Sequence, residues 1–161
     1  MNFDEMQNDS HELDSKYLTF WTDDQLFGIS IASVVQIVGI QEITEIPEYP
    51  MYAKGIINLR GTIIPVIDMR LRLGKMETEY NDRTCIIVVS IRGTEIGFIV
   101  DSVDEVTDVD PEQVTAPPRV GQGYAGNYLT GIGKMDDRVV LLLDIEKILS
   151  EDTFELLMDA T

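Results

Sequence analysis

The chain repeats itself, and the repeat constrains its fold more than any other feature. Tyr52-x-x-Gly55-Ile56 is followed thirteen residues after the glycine by Asp68, and Tyr128-x-x-Gly131-Ile132 is followed by Asp144 at the same interval, an offset of 76. Between these anchors lie Ile63-Ile64-Pro65-Val66-Ile67 and Val139-Val140-Leu141-Leu142-Leu143, so glycine, break, apolar run and aspartate recur in order. A second match runs at an offset of 69, where Gly28, Ser33-Val34 and Ile37 correspond to Gly97, Ser102-Val103 and Val106. A unit of about 65 to 70 residues therefore occurs twice, over 17–73 and 84–149. A unit that small buries only about 60% of its unfolded surface. The halves are expected to pack together, with a mostly apolar groove between them.

Within each unit the apolar stretches are short, rich in Val, Ile and aromatic residues, and bounded by Gly, Asn or Asp, which predicts strands. They fall at 17–22, 26–30, 42–46, 55–60 and 62–69 in the first half, and at 84–91, 95–101, 103–108, 128–135 and 138–144 in the second. Leu59-Arg60-Gly61-Thr62, Met135-Asp136-Asp137-Arg138 and Arg92-Gly93-Thr94 read as hairpin corners. Pro65 lacks a ladder donor and is expected on an edge or at a bulge. Five strands per half predict an all-β fold of small, nearly closed barrels. Asp144–Leu149 opens a short helical turn, and Asp152 with Glu155 forms a capping-box pattern for a C-terminal helix/tail over 151–161. Phe154, Leu157 and Met158 share one face of that helix, which is expected to cover an open barrel end.

Charge narrows the partners. The 29 acidic and 12 basic residues give a formal charge of −17, which repels phosphates and excludes nucleic acid and direct membrane binding. Partners should be proteins or cations. Residues 1–15 hold five of the carboxylates and residues 151–161 four, with no Lys or Arg in either. The segment 1–15 reads as an acidic disordered arm, and 16–150 as the folded domain. The acidic opening is unlike a secretory or transit peptide, no apolar run approaches the roughly 18 residues a bilayer needs, and a cytoplasmic location is expected.

Motifs for chemistry fail on context. Gly121-Gln122-Gly123-Tyr124-Ala125-Gly126 spells a dinucleotide fingerprint, but it follows Pro117-Pro118 and precedes a strand, where the motif needs a strand before and a helix after. Asp108-Val109-Asp110-Pro111-Glu112 resembles the start of a calcium loop, yet Gln113 stands at its glycine position and Arg119 at its bidentate glutamate. The only histidine, His11, lies in the acidic arm. Cys85, the only cysteine, opens an apolar strand with no histidine to activate it and reads as packing. No catalytic residue, metal site or cofactor is expected.

One polar corner interrupts these strands, in Asn58-Leu59-Arg60-Gly61-Thr62-Ile63-Ile64-Pro65-Val66-Ile67-Asp68-Met69-Arg70. This segment, with Ala53-Lys54-Gly55-Ile56-Ile57, Tyr80-Asn81-Asp82, Gly97-Phe98-Ile99-Val100-Asp101-Ser102-Val103 and Tyr128-Leu129-Thr130-Gly131-Ile132-Gly133, resembles the CheW family of chemotaxis coupling proteins over residues 17–149. The resemblance implies two packed five-stranded SH3-like β-barrel subdomains and no catalytic activity. It implies an adaptor that bridges the cytoplasmic tip of a methyl-accepting chemoreceptor to the regulatory domain of the histidine kinase CheA, in a membrane-associated array. A related module, in CheV, is fused to a receiver domain; at 161 residues the stand-alone coupler is expected.

Carried over residue by residue, the receptor-binding positions fall on Arg60, Cys85, Ile86, Gly97, Val103 and Val106, and positions sensitive for either partner fall on Val34, Gln36 and Gly55. Where the family often has Glu-Ile-Arg-Gly this chain has Gln36-Ile37-Val38-Gly39, so two charged side chains are replaced by neutral ones. Arg60, at a glycine-flanked corner, is expected to be exposed at the mouth of the inter-barrel groove. The alternative from another class is a small β-barrel enzyme or ligand-binding domain using that groove. It would need convergent titratable groups there, whereas the strand segments offer mainly Val, Ile and Leu, with Arg60 and Asp68 as exceptions.

Overall fold

The computed structural model describes residues 15–117, 128–149 and 151–159. The arm up to residue 14, with His11, and the glycine-rich stretch with Arg119 lie outside them. The strands are β1 (Lys16–Thr22), β2 (Gln25–Ser30), β3 (Val34–Gly39), β4 (Ala53–Leu59), β5 (Thr62–Asp68), β6 (Cys85–Ile91), β7 (Thr94–Val100), β8 (Ser102–Asp108), β9 (Val114–Thr115), β10 (Leu129–Met135) and β11 (Arg138–Leu143). Helices are α1 (Met69–Arg72), α2 (Ile145–Ile148) and α3 (Glu151–Asp159).

Two sheets form. Sheet A has the order β8-β1-β2-β11-β10-β9 and sheet B the order β3-β6-β7-β5-β4. The two-subdomain β fold is as expected, but the sequence halves are not the sheets. Each sheet takes its first hairpin from one half and the rest of its main strands from the other: β1–β2 lie beside β8, β10 and β11, while β6–β7 lie beside β3, β4 and β5. Parallel seams join the exchanged parts, Leu142 opposite Gly28 in sheet A and Val66 opposite Gly97 in sheet B. These pairs are counterparts under the repeat. The chain passes between sheets twice, through the short turn Ile31–Ser33 and through the single residue Asp101.

Two expectations need correction. The stretch 42–46 is not a strand; Thr44 makes one isolated bridge to Ile56, the two exchanging backbone bonds at 2.9 Å. The β-branched run Val34–Gly39 forms the edge strand instead, as its repeat counterpart β8 does. Pro65 is not on an edge, since β5 lies between β4 and β7. The parallel ladder to β7 begins only at Val66, so the missing N–H of Pro65 costs no bond.

Four two-residue hairpin loops begin on residues in the left-handed region, Asp23 (φ 52°), Arg60 (54°), Arg92 (53°) and Asp136 (52°), whose twist suits antiparallel strands. Beneath them, one core joins the sheets: Phe20, Phe27 and Ile29 from sheet A meet Ile67, Ile87 and Phe98 from sheet B. Smaller clusters fill each curl, Ile57, Ile64, Val66, Ile86, Val88 and Ile99 in sheet B, and Leu26, Val109, Val140 and Leu142 in sheet A. Helix α3 buries Leu157 in the shared core, with Phe154 and Met158 packed beside it, and the Tyr49 hydroxyl donates to the Leu157 carbonyl at 3.2 Å.

The repeat anchors are backbone fasteners. Asp68 N–H donates to the Tyr52 carbonyl and Asp144 N–H to the Tyr128 carbonyl, both at 2.8 Å. Each aspartate then caps a short helix, accepting from Leu71 N–H at 3.2 Å and from Glu146 N–H at 3.0 Å. The Arg72 guanidinium lies between the two anchor rings, 4.8 Å from Tyr52 and 4.7 Å from Tyr128, and donates to the carbonyl of Ile148, its own repeat counterpart.

Candidate functional site

Arg60 is the exposed first residue of the β4–β5 loop. The loop forms because Asn58 Oδ1 accepts from Gly61 N–H at 2.8 Å and Gly61 tolerates φ 89°. Since β4 is the outermost strand of sheet B, Arg60 stands at the tip of an edge hairpin. It does not line the polar cavity at the sheet junction, and the expected position at the mouth of an inter-barrel groove is not met.

The other nominated residues divide by burial. Ile86 is fully buried in the sheet B cluster. Gly97 is buried too, and a Cβ there would stand 2.7 Å from Ile86 Cγ2 and 3.0 Å from Val66 Cγ1. Gly55 has φ 142°, and a Cβ on it would fall 2.0 Å from the Thr44 carbonyl oxygen. These three positions present no side chain to a partner; substitution there acts through packing. Val34, Cys85 and Val103 are partly buried, each packed against the shared core. Val106 is 53% exposed on β8. Gln36 is half-buried on β3, opposite Val88.

So Arg60, Cys85, Ile86 and Gly97 belong to sheet B, whereas Val103 and Val106 belong to sheet A, and the set spans both sheets. Val35 and Ile37, which β3 leaves exposed beside Gln36, are not among the nominated positions. Period-two alternation through 34–39 was the available signal.

The charged groups at the sheet junction are spent on structure. Asp101, the crossing residue, accepts two bonds from Arg70, at 2.8 and 2.6 Å, and one from Asp23 N–H at 2.8 Å. A polar cavity of about 390 Å³ adjoins it, lined among others by Trp21, Arg70, Asn81 and Ser102. Buried Asp68 receives the Tyr80 hydroxyl at 2.7 Å, and burial together with that carboxylate pushes the Tyr80 phenol far up. Among the described residues no group of three His, Cys, Asp or Glu side chains is placed to hold a metal ion, and no helix is long and apolar enough to cross a membrane.

Burial pulls the Asp101 carboxyl up, but the Arg70 hydrogen bonds and charge outweigh it and hold it below the usual value. Its contribution to stability is therefore complete above the unfolded carboxylate's pKa of about 3.9 and is lost as pH falls through the lower folded value. Asp101→Asn should melt below the parent protein at pH 7, and the gap should close toward pH 3. Equal melting at pH 7 would show that the brace contributes nothing.

The CheW-like domain family model matches residues 16–153, which takes in all eleven strands. The chain is 34% identical over 141 residues to the chemotaxis protein CheW of Klebsiella aerogenes, covering 88% of this chain and 85% of that one. It is 32% identical over 138 residues to the chemotaxis protein CheW of Bacillus subtilis, covering 86% and 88%. The crystal structure of the scaffolding protein TtCheW from Thermoanaerobacter tengcongensis superposes with a TM-score of 0.79 at 35% identity, covering 86% of this chain and 94% of that one. Corresponding sheets and matching sequence over nearly the whole folded part make one statement: the chain belongs to the CheW-like domain family of chemotaxis scaffolding proteins.

Proposed function

We propose that the protein is a non-catalytic chemotaxis adaptor that couples chemoreceptor tips to the regulatory domain of the CheA histidine kinase, within arrays at the membrane. The family match over residues 16–153 carries this reading. The site geometry agrees with it: the interior carboxylates and guanidiniums at the sheet junction are committed to caps, ion pairs and ring stacking, while exposed arginine and valine side chains remain on two sheets. In this reading Arg60 and Val106 touch the receptor directly. Cys85, Ile86, Gly97 and Val103 hold the receptor-binding surface in shape, and Val34, Gln36 and Gly55 do the same for β3 and β4, the two edge strands of sheet B, toward either partner.

Replacing Arg60 by Ala should leave stability within about 0.5 kcal/mol, because the side chain is exposed and alanine bears about the same left-handed backbone cost as arginine. Receptor binding should weaken by about thirtyfold, the equivalent of roughly 2 kcal/mol for an interface arginine. Affinity for the isolated kinase domain should not change. Melting temperature, kinase binding and receptor-coupled kinase activation, measured on one variant, separate the cases. A ten-degree fall in melting would make Arg60 a brace, and three unchanged values would make it a bystander.

A further inference from the structure

The duplication supplies an internal control for the surface, because a difference between repeat counterparts is not imposed by the fold. At the hairpin-tip end of sheet A, Trp21, Leu26, Val139 and Leu141 line a groove of about 330 Å³, with Asp24, Gln25 and Arg138 at its rim. Leu26 is buried and Val139 is 57% exposed. The counterparts in sheet B of the four apolar residues are Ser90, Glu95, Ile63 and Pro65. Sheet B thus folds with polar side chains where sheet A has Trp21 and Leu26, so the apolar lining is not needed to build the hairpins.

The loop charges differ in the same way. The tips beside the groove are Asp23-Asp24 and Asp136-Asp137, and their counterparts are Arg92-Gly93 and Arg60-Gly61. Asp23 is engaged by Arg70 and Lys75, and Arg138 by Asp104 and Glu105. Asp24, Asp136 and Asp137 enter no ion pair among the described residues. An apolar floor flanked by carboxylates that are held in no ion pair selects a partner of one chemistry. We infer that this groove is a docking site for a protein segment with apolar anchor side chains flanked by lysine or arginine, on the opposite sheet from Arg60.

Trp21 is the only tryptophan, so its fluorescence reports on the groove and on the polar cavity it also lines, and the Val139 variant tells the two apart. The probe is a short amphipathic peptide of leucine and lysine, titrated into the full chain at physiological salt. One control has serine for leucine and another has glutamate for lysine. The leucine–lysine peptide should shift Trp21 emission and saturate, with both controls weaker by about tenfold or more. Val139→Asp keeps the acidity and removes apolar surface, and it should weaken binding by about tenfold with unchanged melting. The double variant Asp136→Asn, Asp137→Asn should weaken it several-fold. The inference fails if the serine peptide binds as well as the leucine one, or if both folded variants bind like the parent, since net charge alone would then explain the attraction. It also fails if the chain self-associates and Val139→Asp abolishes this, which would assign the groove to the Arg60 and Arg92 tips of a second copy.

Discussion

Expressed apart, residues 1–78 and 79–161 should each lack a cooperative melt and a dispersed spectrum, and mixing them should restore both. Size alone makes each half marginal, but the exchange of hairpins is the stronger reason. The first fragment keeps β1–β2 without β8 or β11, and a lone hairpin is at best marginal in water. It also keeps β3 on one side of the missing β6–β7 and β5–β4 on the other. The second fragment is left in the mirrored condition. Each fragment thus carries the strands that the other lacks, with Phe20 and Phe27 in one facing Ile87 and Phe98 in the other. A cooperative thermal transition in either fragment alone would contradict the exchanged topology, as would a mixture that stays unfolded.

Gly55→Ala should cost about 3 kcal/mol or more, near the severe end for one substitution. Two penalties coincide there: a φ of 142° that residues with a Cβ rarely adopt, and a Cβ driven to 2.0 Å from the Thr44 carbonyl oxygen. At 2–4 °C per kcal/mol for a chain of this size, melting should fall by about 10 °C. Gly61→Ala is the matched control. Its φ is 89° but nothing lies within 4 Å of the added Cβ, so only the backbone penalty, about 1 kcal/mol, should appear. If the Gly55 variant binds its partners poorly while melting like the parent, the residue is a contact and not a spacer.

Much of the fold is legible in the sequence, because the repeat spacing and the strand period are both local signals. The Tyr52–Asp68 and Tyr128–Asp144 intervals reflect two identical backbone bonds. The turn residues at 60–61 and 92–93 carry the φ preferences that their hairpins require. The exchange of β1–β2 and β6–β7 is not legible, since a repeat shows that two units are alike and says nothing of which strands pair. The β3 strand is legible through its counterpart at 103–108, but Ile43 and Ile46 make 42–46 read as a strand in its place. In the site, Arg60 was readable as exposed because a glycine-flanked corner cannot be core. The burial of Ile86, Gly97 and Gly55 was not, because close approach between β6, β7 and β5, or between β4 and the Thr44 bridge, is a property of strands distant in sequence.

The two short passages between the sheets have a mechanical consequence. A body joined at one flexible linker can swing in any direction, whereas one tied at two separate points, through Ile31–Ser33 and through Asp101, keeps only the axis through both, and the core shared by Phe20, Phe27, Ile87 and Phe98 blocks that one. Arg70 stiffens the second tie by gripping Asp101 in two bonds, and Arg72 fills the space between the two anchor rings. A push on the Arg60 hairpin therefore reaches sheet A as a rigid displacement, with no angular play in which to be lost. The molecule can act as a strut, carrying torque from whatever holds one end to whatever holds the other.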